Sequence, residues 1–259
     1  MRGVGRQDGT AAGTTAAASR RAPRLTPGVR RVAGLLAGLA LLAGCGSTPA
    51  ESPPTGVDGL RVPTPEPDPS DFVAEVDHPL FPLAEGGAWR YRAADGSEVA
   101  VEVVGGDVVA GVDVTVLDRV TTDADGEVVG ERRSAYAEDA AGNVWSFGRQ
   151  VLSGPGESWR AGVDGAEAGL LVPAAPRVGD AWLQQESPDL TTRVEVLETD
   201  AVVDGPDGDA AGTLVTEDTE RTDAGEESVV RSYAPGLGVV QVADAGTGAV
   251  LLELVERTG

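Results

Sequence analysis

The sequence predicts an all-β domain that begins near Phe72 and continues to the end of the chain. Short runs rich in Val, Thr, Tyr and Trp alternate between apolar and polar residues, as at Val99, Val101 and Val103, which share one face of a strand. Asp-Gly pairs such as Asp125-Gly126 separate these runs, and Gly supplies the positive φ that tight hairpin turns require. We therefore expect neighbouring strands to pair antiparallel.

About ten strands are expected, with no long helix pattern between them. Segment 158–180, bracketed by Trp159 and Trp182, has apolar content without alternation. We therefore predict a strongly curved sheet or half-barrel with this one long loop covering it, and a β-sandwich is the alternative. The strand candidates are 98–104, 112–116, 127–137, 143–147, 181–187, 191–198, 212–220, 228–233, 238–243 and 250–255.

An export signal precedes the domain. Five arginines between residues 20 and 31 are followed by an unbroken run of small apolar residues at 32–43. Twelve residues rise about 18 Å as a helix, whereas the hydrocarbon core of a bilayer is about 30 Å thick. The pattern therefore indicates a signal peptide at 1–44, and the export route, Sec or twin-Arg, stays open.

The apolar run ends in Leu42-Ala43-Gly44-Cys45, which resembles the lipobox of bacterial lipoproteins. The resemblance implies cleavage between Gly44 and Cys45, lipid on the Cys45 thiol, and anchoring at the outer face of the bacterial cytoplasmic membrane, in the cell envelope. Cys45 is the sole cysteine of the chain, so no internal disulfide is possible. Residues 45–71 are Pro-rich and poor in apolar residues, which predicts a disordered tether ahead of a domain at 72–259.

The chain beyond the signal is strongly acidic. Seven Arg and one Asp precede Cys45, and the remaining 13 Arg and 41 acidic residues give a formal charge of −28. Such a surface repels phosphate backbones and anionic headgroups, so we expect no nucleic-acid partner. Membrane association is expected through the lipid on Cys45.

Four short motifs occur in order along the domain: FPL…WRY from Phe81, GNVW from Gly142, WRAGVDGA…VPAAPRVGD from Trp159, and YAPGLG from Tyr233. Together they resemble a family of uncharacterised bacterial envelope proteins. The resemblance implies an all-β envelope domain and implies no activity. The acidic, Gly-rich stretch 204–212 departs from the family pattern.

Catalytic arrangements built on histidine or cysteine have few residues to draw on, since the chain has one histidine and one cysteine. His78, the one histidine, stands before Pro79 at the entry to the domain, where an exposed or capping role is expected. A Ser-His-Asp or Cys-His arrangement would depend on this residue. We expect no enzymatic activity and no cofactor; a carboxylate-dependent hydrolase of envelope glycans is the enzyme alternative.

A turn with Asp123, Asp125 and Glu127 is the weak candidate for a metal site. Its spacing does not fit the twelve-residue calcium loop, in which acids alternate before a Gly at the sixth position. An ordinary hairpin turn is the stronger prediction, with no bound metal.

The leading functional prediction is a non-enzymatic binding module for an apolar small molecule or a surface protein; a purely structural role is the alternative. The candidate ligand or partner surface consists of Trp159, Leu170, Leu171, Val172 and Trp182. A ligand-binding module predicts an apolar cavity beneath Leu170, Leu171 and Val172, whereas a protein-binding module predicts a filled interior and an exposed patch.

Overall fold

The computed structural model describes residues 68–73, 75–187 and 190–259, and within these ranges the protein is an antiparallel sheet of 14 strands. The all-β prediction is confirmed. The predicted signal peptide at 1–44, with the predicted cleavage and lipidation site at Gly44 and Cys45, lies outside the described residues, as does most of the predicted tether. The strands are β1 (Phe72–Val73), β2 (Ala88–Ala93), β3 (Glu98–Val109), β4 (Val112–Thr122), β5 (Val128–Asp139), β6 (Val144–Ser153), β7 (Trp159–Arg160), β8 (Gly169–Val172), β9 (Ala181–Ser187), β10 (Leu190–Gly205), β11 (Gly208–Thr222), β12 (Gly225–Ala234), β13 (Gly238–Asp244) and β14 (Val250–Thr258).

The sheet order is β7-β6-β5-β4-β3-β2-β14-β13-β12-β11-β10-β9. Sequential strands are therefore neighbours in each half, as hairpins require, and β14 joins the two halves by pairing with β2. Outside this path, β1 pairs with β5 and β8 pairs with β6. No helix among the described residues is long and apolar enough to cross a bilayer.

The sheet is strongly curved and open, as the half-barrel prediction requires. Arg149 on β6 and Glu220 on β11 are eight strand positions apart, which corresponds to about 38 Å along a flat sheet. Their side chains nevertheless form an ion pair, with Arg149 Nη2 3.9 Å from Glu220 Oε2. At another point the indole Nε1 of Trp182 on β9 donates to the Leu170 carbonyl on β8 at 2.7 Å.

Each of the ten predicted strands is present, and most extend further than predicted. The four additional strands are β1 and β7, with two residues each, the four-residue β8, and β2. Runs of two to four residues are too short to show alternation. β2 does alternate, with Trp89 and Tyr91 buried, so its signal was present in the sequence.

Segment 158–180 is more ordered than a covering loop, because it contains β7 and β8, both paired with β6. Residues 69–71, assigned to the tether from sequence, form a 3₁₀ turn. Asp68 caps this turn by accepting the Ser70 N–H at 2.9 Å. Regular structure is thus present slightly before the predicted domain boundary at residue 72.

The two faces of the sheet carry separate apolar clusters, since successive residues of a strand point to opposite faces. On β4, Leu117 belongs to the cluster on the concave face, called the inner face here, which also holds Trp89 and Tyr233. Val114 belongs to the cluster on the opposite, outer face, together with Phe147. The aromatic ring of Phe72 contacts that of Phe147 edge-on, with centroids 5.1 Å apart.

The segment ahead of β2 enters the inner face. Phe81 packs edge-on against Tyr136, with ring centroids 5.1 Å apart. Glu138 Oε2 accepts the N–H groups of Asp77 and His78 at 2.9 Å each. His78 is only 4% exposed, so it is buried rather than exposed. Its Nδ1 accepts the Leu80 N–H at 3.1 Å, which is the capping role expected from the sequence.

Candidate functional site

A groove of about 790 Å³ lies on the outer face of the half-barrel. Its walls are the second half of β3, the middle of β5 and β6, and the segment from Glu157 to Ala166. Known small-molecule sites have volumes of about 300–1,000 Å³, so this groove has the size of a ligand site.

Glycines open the floor of this groove. Gly105 and Gly106 stand at a β-bulge in β3, and Gly105 has a φ of +130° with nothing within 4 Å of an added Cβ. On β6, a Cβ at Gly148 would lie 2.9 Å from the Trp159 carbonyl oxygen, so glycine allows β7 to approach. Glycine inside a strand commonly marks such a close approach.

One wall of the groove is apolar. Trp159, Val116 and Phe147 belong to the outer-face cluster and line the groove. Val163, in the loop after β7, is 48% exposed and lines it as well. A partly exposed indole beside an exposed valine offers a surface on which an apolar group would lose contact with water.

The other wall carries charges with fixed partners. Arg160 donates to Asp107 Oδ2 at 3.1 Å and to the Val108 carbonyl at 2.7 Å, which holds β7 against the end of β3. The Val108 N–H and Arg160 hold the pKa of Asp107 below its usual range. Arg133 Nε lies 3.5 Å from Asp118 Oδ2. The Arg133 side chain is half exposed and lines the groove, so it presents a solvent-accessible cation there.

The five residues predicted as one surface separate in the structure. Trp159 lines the groove, whereas Leu171 and Val172 are buried in the inner-face cluster. Leu170 and Trp182 meet where β8 contacts β9, through the indole hydrogen bond described above. The cavity therefore lies around Trp159 and not beneath Leu170, Leu171 and Val172.

Sequence reasoning missed the glycines and Arg133. The Gly105-Gly106 pair inside an otherwise regular strand pattern is a usable signal for a bulge, but nothing local shows that β7 passes above it. Arg133 looks like any solvated strand arginine until β5 is placed beside β6.

The acidic turn has the geometry of an ordinary hairpin. Asp123 Oδ1 accepts the N–H groups of Asp125 at 3.0 Å and Glu127 at 2.9 Å, which closes the turn. Within residues 68–73, 75–187 and 190–259, no three His, Cys, Asp or Glu side chains are grouped so that they could hold a metal ion.

The fold and the groove define an all-β half-barrel with a ligand-sized depression on its outer face. No family model matches the chain, and no curated protein matches its sequence. A presumed lipoprotein from Parabacteroides distasonis is similar in structure, with 17% identity and a TM-score of 0.41, over 69% of this chain and 98% of that one. A presumed exported protein with a YmcC-like fold from Bacteroides fragilis has 14% identity and a TM-score of 0.42 over the same shares.

Proposed function

We propose that this chain is a lipid-anchored lipoprotein of the bacterial cell envelope whose half-barrel binds a small amphipathic molecule. The export signal and the Leu42-Ala43-Gly44-Cys45 motif support the location. The groove beside Trp159 supports the binding role.

The observation that carries this proposal is the pairing of an apolar wall with an accessible cation in one groove. Trp159 and Val163 would take the apolar body of a ligand, and Arg133 would take a polar or acidic group. Ligand sites typically combine an apolar lining with a few such polar groups. The concave shape favours a small molecule over a protein, since protein interfaces are usually flatter and larger.

Binding is favoured over glycan hydrolysis by the ionisation of Asp107, one of the carboxylates that line the groove. A glycosidase needs one carboxylic acid with a raised pKa to protonate the leaving group. Asp107, which lines the groove, has a lowered pKa because the Val108 N–H and Arg160 stabilise its ionised form. Asp107 is therefore suited to holding Arg160 in place and unsuited to donating a proton.

The proposal predicts that the protein carries a small molecule when purified from its own cells. We expect native mass spectrometry of the gently extracted protein to show a 1:1 adduct, and Trp159→Ala to lower its affinity about tenfold or more, because the indole surface is lost. Val163→Arg fills the groove from an exposed position and should remove the adduct without disturbing the core.

Val178→Arg is the matched control for Val163→Arg, because Val178 is also an exposed valine, at 64% against 48% for Val163, but does not line the groove. A folded wild-type protein that never carries an adduct would overturn the proposal. An adduct that survives both groove substitutions would place the ligand elsewhere on the molecule.

A further inference from the structure

The inner face of the half-barrel changes from apolar to charged along the strands. On β4 the buried Leu117 is followed on the same face by Arg119, and on β12 the buried Tyr233 is preceded by Arg231. On β5, Arg132 lies on the same face as Tyr136. Arg149 on β6 lies opposite Ser134 and so also belongs to this face.

These four arginines, Arg119, Arg132, Arg149 and Arg231, form what we call the arginine cluster. Three of them lie on the neighbouring strands β4, β5 and β6, whereas β12 is five to seven positions away in the sheet order, and the curvature of the sheet brings Arg231 towards the other three. The positive charge of Arg231 on β12 lowers the pKa of both Arg119 on β4 and Arg132 on β5, so the three side chains lie close enough to repel one another. The cluster therefore spans the concave interior from one wall to the other.

Carboxylates neutralise two of the four charges. Arg231 Nη1 lies 3.2 Å from Asp218 Oδ2, and Arg149 Nη2 lies 3.9 Å from Glu220 Oε2. Among the described residues, neither Arg119 nor Arg132 has a carboxylate oxygen within 4 Å. The interior therefore holds a local surplus of positive charge in a chain whose overall formal charge is −22.

The surplus is concentrated in one cross-strand pair. Arg119 and Arg132 are directly opposite in the register of β4 and β5. Like charges in directly opposite positions destabilise a sheet. Burial, and then the charges of Arg119, Arg149 and Arg231, lower the pKa of Arg132 to about 10.

The cluster also has unused hydrogen-bonding capacity and is accessible from solvent. The Nε atoms of Arg149 and Arg231 are buried without a hydrogen-bond partner among the described residues. At the same time the side chain of Arg231 is 34% exposed and that of Arg149 is 20% exposed. A ligand entering the concave interior would therefore meet the exposed parts of guanidinium groups that are not fully paired.

We infer that the arginine cluster binds a multivalent oxyanion carrying phosphate or carboxylate groups. Guanidinium groups present paired N–H donors that match both kinds of oxyanion. An anion between Arg119 and Arg132 supplies the negative partner that these two side chains lack and offsets their repulsion. Arg149 borders the proposed ligand groove as well, but Arg119, Arg132 and Arg231 do not line it, and the Arg149 guanidinium pairs with Glu220 in the interior.

The test is titration calorimetry on the full protein, purified from its own cells in a non-ionic detergent. Pyrophosphate and citrate are the probes, and the ionic strength is held constant. We expect 1:1 binding of at least one probe, and the tighter probe identifies phosphate or carboxylate as the preferred group. At about five times Kd the melting temperature should rise by about 2–4 °C. Absence of binding by both probes would overturn the inference.

The double variant Arg119→Gln/Arg132→Gln should weaken probe binding at least about tenfold. Its melting temperature without a probe should not fall, because the variant removes a repulsive pair. Arg193→Gln is the matched control: it removes the same charge from a half-exposed residue next to the inward-facing Val194, and should leave binding unchanged.

Equal loss in the control and in the double variant would show non-specific attraction and contradict the inference, as would full binding by the double variant. Should the double variant fail to fold, Arg132→Gln alone is judged by the same tenfold criterion. Loss of the adduct in the Trp159 and Val163 variants leaves this test unaffected, so the two proposals can fail independently.

Discussion

At the residue scale, His78 shows how burial changes the behaviour of a side chain that the sequence places at an entry segment. Burial lowers the pKa of His78, although the Pro173 carbonyl and the charge of Asp77 act in the opposite direction. Glu138, which accepts two N–H groups from the same segment, has its pKa raised by burial. The attachment of this segment therefore depends on pH: as the pH falls, protonation of His78 weakens it, whereas protonation of Glu138 favours it.

We predict that His78 destabilises the fold as the pH falls below about 6.5, the ordinary pKa of histidine. Below that value the unfolded chain binds a proton more readily than the folded chain, so the free energy of unfolding decreases. In His78→Asn, Asn Oδ1 keeps an acceptor for the Leu80 N–H but does not titrate. Urea unfolding of both proteins between pH 7.5 and 5.5 checks this, and parallel curves would contradict it.

At the element scale, β8 determines how the two ends of the sheet approach each other. It pairs with β6 and, through the Trp182 hydrogen bond to Leu170, contacts β9. At Gly169 an added Cβ would lie 1.8 Å from the Gln184 carbonyl oxygen, which is backbone and cannot rotate away. Only glycine allows β8 and β9 to pack at this distance.

Gly169→Ala should therefore lower the free energy of unfolding by about 1–3 kcal/mol or more, because backbone atoms must move to relieve the overlap. Gly130→Ala is the matched control. Gly130 also lies in a strand, and its added Cβ would meet Thr121 Cβ at an ordinary 3.7 Å. Chemical denaturation of both variants provides the comparison, and equal stability of the two proteins would refute the role of Gly169.

At the scale of the whole molecule, the acidic charge opposes membrane binding, whereas the proposed lipid anchor provides it. A formal charge of −28 over residues 45–259 repels anionic headgroups, so the membrane attachment that we propose would come from covalent lipid. The four Trp residues are divided between core, groove and strand contact, and Trp89 links distant motifs by donating to the Leu237 carbonyl at 2.7 Å. The WRY and YAPGLG motifs thus meet at the junction of the two halves.

We predict that Cys45→Ala transfers most of the protein from the membrane fraction to the soluble fraction and abolishes incorporation of labelled fatty acid. Two or more acyl chains give stable anchoring, at about 0.8 kcal/mol per buried CH₂, and the variant has none. Ser47→Ala, just beyond the motif, should behave as wild type. Membrane retention of the Cys45 variant would show that another part of the chain binds the envelope.

Periodicity predicted the strands well because alternation is a local property of the residues in each strand. It did not reveal β7 and β8, which are too short to alternate, nor the burial of His78, which depends on a segment folding onto β5. Among the residues of the two proposed sites, Trp159 was predicted, whereas Arg133, Arg119 and Arg132 looked like solvated strand charges. Their roles depend on neighbours that lie far away in sequence.

The sequence by itself determined the all-β class, the positions of ten strands, the acidic charge and the predicted lipid anchor. All of these follow from composition or from patterns within about fifteen residues. Only the tertiary structure decided that Arg149 meets Glu220 across eight strand positions, that glycines open a groove beside Trp159, and that four arginines share one interior. Sheet curvature accumulates from small twists and bulges along many strands, and no single stretch of residues records where its two walls will meet.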